Sequence, residues 1–143
     1  MSVVVAITEA VVGSLNAATF SMPFTAVRTY LPQYKLAEMQ TLRVTVVPRS
    51  AVLSSVDRSR SQTDLAVDIA IQKKYALGTN PELDLLTSLV EEILEHTRTH
   101  RQLDGLPQVH WIKSEVTALY APDHMEKFRQ FTSVLTATYR VVS

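Results

Sequence analysis

The chain of 143 residues contains no cysteine. Disulfides, thiolate metal sites and cysteine nucleophiles are therefore excluded. Only three glycines occur, Gly13, Gly78 and Gly105, each isolated from the others. No phosphate-cradling loop or dinucleotide fingerprint can be built from them, and no serine sits in a nucleophile-elbow context. An excess of either charge is also missing: Lys plus Arg is 14, Asp plus Glu is 14, and the formal net charge is zero. An autonomous nucleic-acid binder usually carries a clear basic excess, so that class is disfavoured. A charge near zero also favours association over life as a free monomer. No apolar run reaches the ~18 residues of a membrane span, and no membrane partner is expected. The opening MSVVVAITEAVV has no basic segment and contains Glu9, unlike a signal peptide, so a cytoplasm-like compartment is expected. At this length one domain, 1–143, is the default, with room for a real core.

What is present is organised around residues 80–99, NPELDLLTSLVEEILEHTRT. Asn80 is the expected N-cap, because its side chain can accept an orphan backbone N–H. Pro81 then falls at the first helical position, where its missing N–H costs nothing. Glu82 and Asp84 near the start and Arg98, His100 and Arg101 near the end suit the helix dipole. At ~100° per residue, Leu83, Leu86, Leu89, Val90, Ile93 and Leu94 share an arc of roughly 140°. Asp84, Ser88, Glu91, Glu92, Glu95 and Thr99 lie opposite. Gly105 and Pro107 forbid much further helix.

Elsewhere the chain alternates between helical and extended patterns. Residues 3–18 read as a helix, with Ile7, Val11, Leu15 and Ala18 on one side, although Val3, Val4 and Val5 also suit a strand. Residues 24–30 read as a strand bounded by Pro23 and Pro32, and 35–40 as a short helical turn. Residues 42–47 alternate as a strand. In 63–73 the residues Leu65, Val67, Ile69 and Ile71 alternate with a small and acidic set that includes Asp64 and Asp68, the pattern of a sheet with one buried face and one open face. Residues 109–119, around Trp111, and 131–142, rich in threonine and valine, complete the strands. Another helical turn is expected at 123–128. Between two hairpin strands, 49–62 (RSAVLSSVDRSRSQ) is serine- and arginine-rich and reads as a flexible loop or arm. The fold class that follows is α+β: an antiparallel or mixed sheet of about five strands with two helices packed on one face.

The constellations that might carry chemistry are few. His96 and His100 have metal-ligand spacing, but the glutamate beside the first histidine of a zincin is missing, and Arg98 and Arg101 would repel a cation. A polar helix end is the favoured reading. Asp64 and Asp68 share a strand face about 13 Å apart at ~3.4 Å per residue, too far to cooperate as a carboxylate pair. Glu91, Glu92 and Glu95 form an acidic patch; Glu91 and Glu95 repel at i,i+4 by a few tenths of a kcal/mol. That patch is either a solvated face or a partner face. Arg49, Arg58 and Arg60 lack the interleaved aromatics that stack on bases, so a loop that orders against a protein neighbour is the better reading. Trp111, Tyr120 and Phe128 read as core before interface anchors. No catalytic residue, metal or cofactor is expected.

Four blocks together are similar to a known family: RVTVVPR at 43–49, SQTDLAVDIAIQKK at 61–74, ELDLLTSLVEEILEH at 82–96 and ALYAPDHMEKFRQFTSVLTATYR at 118–140. Their order resembles the tail terminator (neck, or tail-completion) proteins of tailed bacteriophages and prophages, over roughly residues 43–142. No catalytic motif anchors the likeness. The resemblance implies a small α+β subunit of the virion, assembled in the host cytoplasm. It implies a homo-oligomeric ring, usually a hexamer, that caps the tail tube protein, ends tube polymerisation and meets the head-tail connector or stopper protein. Genome DNA would pass through the lumen without sequence-specific binding. On that reading Arg49, Arg58, Arg60, Glu91, Glu92 and Glu95 are candidate subunit or partner contacts. Asp64 and Asp68 are candidates for a lumen or interface sheet face, where like charge keeps DNA from sticking. Another neck component is the nearest alternative, because these proteins share a general architecture. A small nuclease using Asp64, Asp68 and the histidines, or an antitoxin-like adaptor with an acidic helix face, are alternatives of other classes.

Overall fold

A computed structural model of the chain describes residues 2–30, 41–74, 79–118 and 130–142. The elements run α1 (Val3–Ala17), β1 (Ala26–Arg28), β2 (Arg43–Ser55), β3 (Ser61–Lys74), α2 (Asn80–Thr99), β4 (Val109–Ala118) and β5 (Gln130–Val142). This is the expected order of helix, three strands, helix and two strands. The helical turns expected at 35–40 and 123–128, together with Tyr120 and Phe128, lie outside the described residues.

The five strands form one sheet in the order β1-β2-β3-β5-β4. β1 runs parallel to β2, while β2, β3, β5 and β4 pair antiparallel in turn. The sheet is therefore mixed, and the fold is α+β. Side chains alternate between its faces. Val46, Ile69, Leu135 and Val116 form one cross-strand row, and Leu65, Tyr139 and Trp111 another, on the same face. That face meets Ile7, Val11 and Leu15 of α1 and Leu86, Leu89, Val90 and Ile93 of α2 in a single hydrophobic cluster. Both helices thus lie on one side, with α1 over β1 and β2 and α2 over β4 and β5.

Helix α1 forms despite its valine-rich start because Ser2 caps it, accepting from the Val5 N–H, and because its apolar side is buried. Asn16 ties the end of α1 to β1: its amide accepts from the Ala26 N–H (2.7 Å) and donates to the Ala26 carbonyl (3.1 Å). Gly105, at φ 77°, sits in the tight turn after α2, where the Leu106 N–H donates to the Leu103 carbonyl. No helix among the described residues is long and apolar enough to cross a membrane.

Three local expectations change. The stretch 49–62 is mostly ladder: β2 runs on to Ser55, β3 begins at Ser61, and the register continues to the pair Ser55 with Ser61. Ser/Arg content hides a strand whose two faces both meet water, so no buried alternation marks it. Pro48 is accommodated beside a β-bulge, where the register shifts between Pro48 and Ser50. Second, the N-cap of α2 is Thr79, in extended conformation and without a side-chain cap bond, while Asn80 is already helical. Third, the acidic sheet face is open only in part. Thr45, Ala70, Gln72 and Thr132 are buried on it, and Thr45 Oγ1 and Gln72 Oε1 lack hydrogen-bond partners.

Candidate functional site

On the open sheet face, the two aspartates of β3 are held by different partners. Asp64 accepts two bonds from the Arg140 guanidinium of β5, at 2.8 and 3.0 Å. That contact holds its carboxyl below the usual aspartate range, against the opposing effect of burial. Asp68 accepts from the Thr136 hydroxyl at 2.7 Å, with the Arg49 guanidinium 3.7 Å away. Arg49 also donates to Thr136. The strand pairing sets both clusters, since Asp64 faces Arg140 and Asp68 faces Thr136 across the ladder. Asp64 is thus neutralised and Asp68 partly so, each by its own partners.

At the far end of the β2–β3 ribbon, Asp57 organises the turn. Its carboxylate accepts from the Ser59 and Arg60 backbone N–H groups, at 2.9 Å each, and from Arg60 Nε at 2.8 Å. The Ser59 N–H, then the Arg60 guanidinium, lower its pKa. Arg60 is therefore a turn residue first, and Arg58 projects beside it, exposed. Of the three arginines singled out in the sequence, Arg49 sits at the foot of the ribbon and the other two at its tip.

The acidic patch of α2 is more engaged than its sequence shows. Glu92 accepts from the Ser21 N–H (2.9 Å) and the Ser21 hydroxyl, pinning the segment after α1 to α2. Glu95 pairs with Arg98 one turn on, which lowers its pKa. Glu91 is exposed. All three border a cleft of about 650 Å³ between α2 and residues 18–20, which His96, Thr99 and His100 also line.

His96 is the residue that sequence reasoning placed wrongly. It is buried, and its Nε2 lies 2.8 Å from the Ser14 hydroxyl of α1. Its ring stacks on His100, with centroids 3.9 Å apart, and meets the Phe20 ring edge-on. Desolvation, then the neighbouring His100 charge, lower its pKa to about 4. His100 Nδ1 lies 3.0 Å from the His96 carbonyl. His96 therefore joins α2 to α1 through Ser14, and His100 stacks on it from the end of the same helix. One signal was available: seven residues on from Leu89, His96 returns to the apolar arc. Trp111 packs against the core, with its indole N–H donated to Ser114 and the Arg101 guanidinium over its ring.

Comparison with known proteins adds little to these contacts. No family model matches the chain, and no curated protein matches it. Among solved structures, the chain is similar to the sheath/tube terminator of an extracellular contractile injection system (PVC), seen by cryo-EM in its extended state. The identity is 14% and the TM-score 0.49; the match covers 100% of this chain and 57% of that one. The chain thus spans little more than half the length of the structure it matches, and at that identity and score the likeness carries no functional weight.

Proposed function

We propose that this chain is a structural subunit of a phage-type tail, a terminator that assembles into a ring on the end of the tail tube. The ring stops tube growth and turns its other side toward the head-tail connector, with DNA passing through the lumen. The observation that carries this reading is the order of the four sequence blocks. Three of them coincide with β2, β3 and α2, and the last runs into β5. Satisfied charges agree with a structural part. Asp64, Asp57, Glu92 and Glu95 are each bound to a named partner within the chain, leaving no poised acid, base or nucleophile among them. The open face with Asp64 and Asp68 is the side proposed for the lumen.

The test is tube assembly. Tail tube protein is polymerised with and without this chain and the products are imaged by negative stain. Tubes of arrested length, with added density on one end, are expected. Unrestricted growth with bare ends at saturating protein would contradict the proposal.

A further inference from the structure

The sheet ends on both sides in strand that no described element covers. On one side, β1 pairs with β2 only as far as Val46, and every residue from 49 to 60 is exposed. Leu53 is 72% exposed and Val52 59%, on opposite faces of the ribbon. Sheets usually blunt such an edge with charge, proline or a bulge. Residues 50–56, SAVLSSV, hold no charge and no proline, and the bulge lies below them, between Pro48 and Ser50. A free edge presents main-chain N–H and C=O groups whose matching partner is another extended strand.

On the other side, β4 is the edge. Its first residues are already covered: the Trp111 N–H donates to the Arg101 carbonyl, and Gln102 donates to the Val109 carbonyl. Past them, Ile112, Lys113, Glu115 and Thr117 are exposed.

The two edges match in height, direction and charge. Val47, Asp68, Thr136 and Glu115 form one row across the sheet, and Ser50, Ala66, Thr138 and Lys113 the next row on the same face. Directions alternate from β2 through β3 and β5 to β4, so β4 of a copy set beside β2 runs antiparallel to it. An even number of alternating strands repeats without a mismatch, however many copies follow. Arg49 reaches Asp68 and Thr136 on the same face and row that carry Glu115, so neighbouring copies set unlike charges together. Both halves of the contact are therefore present in this one chain, and its net charge of zero sets up no general repulsion between copies.

We infer that β4 of a second copy, through residues 112–115, pairs antiparallel with the free edge of β2 around Ser50, at 48–53. Copies then join head to tail in one continuous sheet. Such a heterologous contact closes into a ring when its rotation closes. The inference rests on the ring reading above and supplies its subunit contact.

The absence of cysteine makes disulfide trapping clean. Ser50→Cys combined with Lys113→Cys joins two exposed positions of one row, and Val52→Cys with Lys113→Cys covers a slip of two residues. Under mild oxidation, one of these pairs is expected to give a ladder of covalent multimers, while each single variant stays uncrosslinked. Dimers from Ser50→Cys or Val52→Cys alone would overturn the inference in favour of β2 pairing with itself. No ladder from either pair, with native mass spectrometry still showing a multimer, would overturn this contact and leave the ring standing. A monomer throughout, with tail tube added as well, would sink the ring and this contact together. As a second reading, Val52→Lys is expected to keep the melting temperature and lose the multimer; an unchanged multimer counts against the contact.

Discussion

Two side chains at the helix ends show how single residues hold this fold. Asn16 looks like an ordinary polar residue on the outer side of α1, yet it satisfies both backbone groups of buried Ala26. Replacing it with alanine leaves a buried N–H and C=O without these partners, at a cost of about 1–3 kcal/mol. Asn16→Ala is therefore expected to lower the denaturant midpoint without changing the slope, and a midpoint equal to the parent's would refute this role. His96 gives a prediction in pH. Its folded pKa of about 4 lies below its ordinary 6.5, so the unfolded chain takes up the proton first. Stability is then fully present above about pH 6.5 and declines as the pH falls toward 4. Titrating the midpoint between pH 4 and 8 should show that decline in the parent, and His96→Gln should lose this part of it. Equal profiles in the two proteins would contradict the assignment. The Ser14 to His96 contact was not legible in the sequence, because the two residues stand 82 positions apart and neither helix reveals the other's neighbour.

The elements themselves were legible wherever one face is buried. In α2 the middle of the apolar arc is buried, and Ile93 within it is fully so. Ile93→Ala is expected to cost about 2–5 kcal/mol, read as a lower thermal midpoint; a loss under 1 kcal/mol would mean that α2 is not packed as described. β3 and β5 were legible for the same reason, through strict alternation. β2 was legible only to Val47, because beyond Pro48 both faces of the ribbon meet water and the pattern carries no periodicity. β1 was visible as an extended segment, but no local pattern tells a parallel neighbour from an antiparallel one. The ribbon's energetic independence from the core can be tested directly. Replacing 54–62 with Asn-Gly, a favoured two-residue hairpin turn that joins the paired residues Leu53 and Thr63, should leave the melting temperature within a few degrees and weaken self-association. Loss of folding would show that the ribbon belongs to the core.

For the molecule as a whole, the mixed sheet with two helices on one side leaves part of the opposite face and, at 49–55 of β2 and 112–117 of β4, part of each edge exposed. The carboxylates that sequence reading marked as candidates, Glu91 apart, are bonded within the chain, and His96 joins the two helices. The functional reading therefore comes from the order of sequence blocks, while the sheet edges supply a way for copies to meet. The pairing of Arg49 with Asp68 was beyond sequence reading, since it depends on the β2–β3 register that sets Val47 opposite Asp68. The central claim is that this chain works as a closed ring, and native mass spectrometry over a range of concentrations, with and without tail tube, tests it most directly. The account predicts a single multimer of fixed copy number, six being the number implied by the resemblance. A 16.0 kDa species persisting alone at every concentration, with tail tube present, would contradict it.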